Sequence, residues 1–244
     1  MDKKILAAAH PGRMGDVIYC LPLLRYLSKR DNVLFDFYTS EYCEPLRSLF
    51  EYQDCINQFS ISKDYVLDNW GCGGQPFYVP VPNEYEYVYQ LGFKRTPDTM
   101  LHQFIAAEQG VYEPLAIEYQ YPEYSMLLPK EYVCIAPRGD TSYNYLFDAL
   151  PHHIPCVVIG GQGDYRGQGF DYTGLSFLET LFILSKSKGF VGLMSSQLVL
   201  ANGFPIKRIS PHDGKSWDMR HIVNYYLNHY PINPSVEHVL GLLR

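Results

Sequence analysis

The chain has 244 residues, 47% hydrophobic and 19% charged, with a net charge of −6; this composition belongs to a globular protein, and the length admits one large α/β domain or two smaller ones. The acidic balance counts against a protein that lives on a nucleic-acid backbone, which calls for clustered Lys and Arg. No stretch approaches the roughly 20 uninterrupted apolar residues of a membrane span, and the apolar run at residues 5–9 is too short for a signal peptide, so a cytoplasmic location is expected.

In chain order, residues 5–9 read as a buried first strand, and Val17, Ile18, Leu21, Leu24 and Leu27 then recur at helical spacing. Residues 33–39 are rich in β-formers, 44–52 read as helix and 55–61 as a third strand. From 62 to 97 breakers dominate, including Trp70-Gly71-Cys72-Gly73-Gly74 and Pro76, Pro80 and Pro82, with one strand candidate at 85–91. Asp98 opens a helix that ends at Gly110. A second alternating block places strands at 132–136, 155–159, 190–194 and 206–210. Its helices fall at 176–188, with a Ser176-x-x-Glu179 capping box and a terminal Gly189, at 195–202, near 215–229, and at 234–243. Alternation of β and α predicts parallel sheets flanked by helices. The expected domains are residues 1–128 and 129–244.

Three turns are candidate sites. The first, His10-Pro11-Gly12-Arg13-Met14-Gly15-Asp16, lies between the first strand and the first helix, where α/β sheets bind ligands. Asp16 there suits either chemistry or a helix cap. The second, Ala136-Pro137-Arg138-Gly139-Asp140-Thr141-Ser142, could grip a diphosphate through Arg138 and the Thr141 and Ser142 hydroxyls, or be an ordinary polar loop. In the third, Gly192-Leu193-Met194-Ser195-Ser196-Gln197, a helix N-terminus could neutralise a phosphate leaving group, or Ser195 could simply cap the helix.

Several other signals are weak. Neither the first turn nor Gly161-Gln162-Gly163 completes a dinucleotide fingerprint, and Gly214-Lys215-Ser216 lacks the first glycine of a phosphate loop. Cys20, Cys43, Cys55, Cys72, Cys134 and Cys156 form no Cys-x-x-Cys pair, which predicts free, mostly buried thiols. His152-His153 has no accompanying ligand cluster, and no Asp-x-Asp occurs, so no metal site and no cofactor are expected. The 22 tyrosines suit sugar or base stacking, or a tyrosine-rich core.

Taken together, Gly15-Asp16-Val17-Ile18 with Leu21-Pro22, and Thr173-Gly174-Leu175-Ser176-Phe177-Leu178-Glu179, Phe190-Val191-Gly192, Ser195-Ser196-Gln197 and Ala201-Asn202-Gly203-Phe204-Pro205, resemble the heptosyltransferase-like glycosyltransferases of family 9. The resemblance implies a GT-B fold, with two Rossmann-like domains facing across a cleft. It implies an inverting, metal-independent transfer of a sugar from a nucleotide-diphosphate donor to a hydroxyl of a glycan or other acceptor, with a modified nucleic acid the less favoured acceptor.

By position, Asp16 then matches the general base, with Gly12, Arg13 and Gly15 forming the acceptor-side turn. Arg138, Thr141 and Ser142 match diphosphate contacts. Gly161, Gln162, Asp164, Gly174 and Leu175 would lie beside ribose and base, and Ser195, Ser196 and Gln197 would face the phosphates. The last helix is expected to cross back to the first domain. One departure stands out: the family's Asp-Thr/Ser-Gly with a following His is here Met194-Ser195-Ser196 without the His. That feature supports an alternative, a nucleotide-sugar binding module without catalysis. A GT-B epimerase would need further paired carboxylates or a His, and none is evident.

Overall fold

In a computed structural model, the residues described are 3–62, 79–91, 106–107, 109–111, 115–137, 142–165, 167, 169–193, 195–212, 229 and 231–244. Two compact units are present, Met1–Gln120 and Tyr121–Arg244.

In the first unit, β1 (Lys4–His10) leads through a turn into α1 (Met14–Ile18) and α2 (Leu21–Asp31). The periodicity of this region predicts one continuous helix, but Pro22 lacks the N–H that would bond the Ile18 carbonyl, and its ring crowds that carbonyl, so the helix restarts at Leu21. Asn32 closes α2 in the left-handed region at φ 54°, donating its N–H to Ser28. Then follow β2 (Val33–Thr39), a 3-10 segment (Glu41–Leu46) containing Pro45, α3 (Arg47–Glu51), β3 (Ile56–Ile61) and β4 (Val88–Gln90). The sheet order is β3-β2-β1-β4, and every pairing is parallel.

The middle strand β1 carries Ala7, Ala8 and Ala9, all fully buried. On one face of β2, Phe37 packs on Phe50 and Phe59 with ring centroids 4.6 and 6.0 Å away, and burying each such ring contributes about 1.5–3 kcal/mol. Buried Asp36 is satisfied, because Asn57 Nδ2 and the Tyr85 hydroxyl donate to its two oxygens at 2.7 Å each. Of the helix expected at 98–110, Ala106 and Ala107 are helical and Gly110 sits at φ 74°; residues 98–105 lie outside the described residues.

The second unit contains β5 (Val133–Ala136), α4 (Asn144–Ala149), a 3-10 turn (Leu150–His152), β6 (Cys156–Val158), β7 (Phe170–Asp171), α5 (Phe177–Lys186), β8 (Gly189–Gly192), α6 (Ser196–Ala201), β9 (Lys207–Ile209) and α7 (Val236–Leu243). The order is β7-β6-β5-β8-β9, again parallel throughout. The Ser176 capping box forms as its sequence predicts: Ser176 Oγ accepts from Glu179 N at 3.3 Å, and Glu179 Oε2 accepts from Ser176 N at 2.9 Å.

Gly189 does not terminate that helix, because Ser187 is already extended; it opens β8, where a Cβ would come within 2.9 Å of Leu243 Cδ2. The last helix packs on the core of the second unit: Val239 joins the core of Val133, Ile135, Phe147 and Val191, and Val236, Leu240 and Leu243 lie against it. Ser235 caps α7 through His238 N at 3.1 Å. The helix expected near 215–229 falls almost wholly outside the described residues, of which His229 alone is described.

Among the described residues, Cys20, Cys43, Cys55, Cys134 and Cys156 are free and buried. No group of three His, Cys, Asp or Glu side chains among them is arranged to hold a metal. Nor is any described helix long and apolar enough to cross a membrane.

Candidate functional site

Each sheet reverses its strand order once, and in parallel sheets the crevice beyond the carboxyl ends at that reversal is where ligands bind. In the first unit the chain moves from β1 outward to β2 and β3, then returns to β4 on the other side of β1. The turn leaving β1, with Gly12, Arg13, Gly15 and Asp16, therefore stands at the switch point. In the second unit the reversal lies between β5 and β8. The loop after β5 and the turn from β8 into α6 emerge there, so the second and third candidate sequences share one sheet edge.

The first turn is held by short-range contacts. Gly12 N–H donates to His10 Nδ1 at 2.8 Å, and Arg13 N–H donates to Asp16 Oδ2 at 3.1 Å. Asp16 is thus a helix cap, satisfying one of the first N–H groups of α1. Burial pushes its pKa up to about 6, against the lowering pull of the Arg13 N–H and the Arg13 charge. Gly12 is required by close approach: a Cβ there would lie 2.5 Å from His10 Cε1 and 2.8 Å from Asp16 Cβ. Two thiols brace the same turn, with Cys43 Sγ donating to Gly12 O at 3.4 Å and Cys20 Sγ to Asp16 O at 3.8 Å. Arg13 is exposed and Gly15 half-buried. A carboxyl titrating near neutrality at a strand-end crevice can take a proton from a hydroxyl.

At the second edge, Arg138 and Thr141 lie outside the described residues, while Ser142 is exposed just before α4. The turn after β6 is closed by Asp164, whose Oδ2 accepts from Gly161 N at 2.8 Å. It is tied to the turn after β7 by Gly174 N–H donating to Gly160 O at 2.9 Å. Gly174 has φ 75°, and a Cβ on it would meet Gln162 Cβ at 3.6 Å, so Gly161, Gln162, Asp164 and Gly174 form one ledge, exposed along Gly161, Gln162 and Gly174, with Leu175 half-buried beside it.

Ser195 occupies the N-cap position of α6, but its hydroxyl makes no cap bond; Ser195 Oγ is buried without a hydrogen-bond partner. Ser196 Oγ donates to Gln197 Oε1 at 3.2 Å. Hydroxyls and helix N–H groups at such an edge are suited to phosphate oxygens.

Two residues at these edges escape a reading of the sequence. His10 is fully buried, and burial lowers its pKa to about 3, so the ring is neutral. Ser210, directly after β9, is fully buried with Oγ unpartnered. His10 ends β1 within the first candidate turn and Ser210 directly follows β9; the burial that distinguishes them exists only in the folded chain.

No family model matches the sequence, and no curated protein matches it. Solved structures do. E. coli ADP-heptose lipopolysaccharide heptosyltransferase II aligns over 98% of this chain and 98% of its own, at a TM-score of 0.68 and 12% identity. A glycosyl transferase family 9 protein from Veillonella parvula aligns over 95% of this chain and 86% of its own, at 0.66 and 10%. The bacterial iron-containing dodecameric glycosyltransferase TibC, from enterotoxigenic E. coli, aligns over 96% of this chain at 0.63 and 18% identity, and this chain spans 63% of TibC's length. With two parallel α/β sheets in that order, the chain has the GT-B fold of the heptosyltransferases.

Proposed function

We propose that this protein is an inverting, metal-independent glycosyltransferase that moves a sugar from a nucleotide-diphosphate donor to a hydroxyl of a glycan acceptor. The observation that carries the reading is Asp16: a carboxyl at the switch point of the first sheet, raised to about 6, in a chain with the heptosyltransferase fold.

Asp16 accepts the proton of the acceptor hydroxyl as that oxygen attacks the anomeric carbon. The bond from this carbon to the donor phosphate oxygen breaks, its electron pair leaves with the nucleoside diphosphate, and attack from the opposite side inverts the carbon. General-base help of this kind is worth about 10²–10⁴-fold. Ser195, Ser196, Gln197 and the N–H groups opening α6 meet the charge developing on the diphosphate, together with Arg138, Thr141 and Ser142 from the loop after β5. Gly161, Gln162, Asp164, Gly174 and Leu175 receive the nucleoside. Neutralisation by these groups, together with the absence of an Asp-x-Asp pair in the sequence, supports a reaction without metal. The acidic net charge of −6 favours a glycan over a nucleic-acid acceptor.

A second reading, a nucleotide-sugar binder without catalysis, is favoured by one observation: Met194-Ser195-Ser196 carries no carboxylate. Calorimetry against UDP, GDP, ADP, CMP and dTDP, with and without EDTA, tests both readings. A transferase binds one nucleotide in EDTA and releases nucleoside diphosphate from the matching nucleotide sugar, a release lost in Asp16→Asn. Binding without release supports the second reading, and absence of binding at millimolar concentration removes both.

A further inference from the structure

His10 is the buried titratable group next to the proposed base that the chemistry above does not use. It ends β1, and three features of the turn converge on it. Its Nδ1 accepts Gly12 N–H at 2.8 Å, so the nitrogen facing the turn carries no proton. Its ring is packed on Gly12 so closely that a Cβ there would lie 2.5 Å from Cε1 and 2.8 Å from Nδ1, and the same Cβ would lie 2.8 Å from Asp16 Cβ. His10, Gly12 and Asp16 are therefore one continuous stack in which the glycine leaves no slack. The backbone under the ring is pinned as well, because Thr39 Oγ1, fully buried on the adjacent strand, donates to His10 O at 2.8 Å.

We propose that His10 is the positioning residue of this site: its neutral imidazole fixes the Gly12–Arg13 backbone so that Arg13 N–H meets the half-buried Asp16 carboxylate. The inference rests on the reading of Asp16 as the base, but its geometric part can be tested without any donor. The charged and titratable groups around the stack are the Arg13 guanidinium, which favours the ionised carboxylate, and the Cys20 and Cys43 thiols, which donate to the carbonyls of Asp16 and Gly12. A protonated His10 would lose its acceptor and set a cation beside Gly12 in a site closed to water, which is why the ring stays neutral.

The experiment is a carbon-detected NMR titration of the Asp16 carboxyl in the wild type, His10→Asn, His10→Ala and Gly12→Ala. Asn offers a carbonyl oxygen near the place of Nδ1; Ala offers neither acceptor nor ring; Gly12→Ala keeps the ring and wedges the stack apart. The wild type should titrate near 6 and His10→Asn within half a unit of it, while His10→Ala and Gly12→Ala shift by a unit or more as the Arg13 N–H bond and the packing around the carboxyl are lost. If His10→Ala does not fold, the contrast of Gly12→Ala with His10→Asn carries the test.

In turnover with the nucleotide sugar identified by calorimetry, kcat should fall by tenfold or more in Gly12→Ala and His10→Ala. The KM for donor should stay unchanged, and the acidic limb of the pH profile should move with the NMR midpoint. Identical Asp16 titrations in all four proteins would overturn the proposal. The expected titrations in a protein that turns over no nucleotide sugar would uphold the positioning of Asp16 by His10 and reject the transferase reading instead.

Discussion

The two switch points solve different problems. At the first, one titratable group is held mostly by its own neighbours in sequence: His10, Gly12, Arg13 and Asp16 are within seven residues, braced by the Cys20 and Cys43 thiols and the Thr39 hydroxyl. At the second, groups arrive from the ends of β5, β6, β7, β8 and β9. Among the described residues there, Asp164 is engaged with Gly161 N–H and Asp171 with Thr173, while the hydroxyls of Ser195 and Ser210 are not engaged. A tight turn orients one carboxyl through its near neighbours. An anion needs several neutral or positive donors from different directions, which only a sheet edge can gather.

The largest effect that would separate the two edges is Asp16→Asn. It should lower transfer by about 10²–10⁴-fold while nucleotide affinity, measured by calorimetry, changes less than twofold; a comparable loss of affinity would join the two edges into one binding function. Next, Phe37→Ala should cost about 3–5 kcal/mol in urea unfolding, because it empties the packed ring cluster of the first unit.

The pH dependence follows with the signs worked out. Asp16, raised from an ordinary 3.8 to about 6, contributes stability that is fully present below 3.8 and lost as pH rises through 6. His10, lowered from 6.5 to about 3, contributes stability present above 6.5 and lost as pH falls through 3. Between about pH 4 and 6 the two slopes oppose each other in the wild type, so Asp16→Asn should show a clear fall in unfolding midpoint on acidification where the wild type is nearly flat. Activity of the wild type should rise through pH 6 as Asp16 ionises.

The smallest effect is at the second edge. Ser195→Ala should leave thermal stability unchanged or slightly raised, since its hydroxyl satisfies nothing in the free protein, and should weaken nucleotide binding severalfold. A marked loss of stability would show that the hydroxyl is structural.

Strong local signals were legible in the sequence. The apolar runs that became β1, β2 and β5 could be read because each is a short, mostly buried strand, and the Ser176 capping box because its whole interaction lies within four residues. Phe170–Asp171 escaped because two exposed residues become a strand only by lying beside β6. Gly189 looked like a helix end in sequence; the approach of Leu243 from the far end of the unit gave it another reason to be glycine.

What the sequence determined by itself is the alternation of β and α, the position of Gly12 through Asp16 immediately after a strand, and the lack of an Asp-x-Asp motif, because each depends on residue type and near-neighbour spacing. Tertiary structure decided the strand orders, and with them which strand ends share a crevice. It also decided that Asp16 titrates near 6, that His10 is neutral beneath it, and that Ser195 spares its hydroxyl rather than capping α6. Those properties depend on desolvation and on partners brought in from distant parts of the chain.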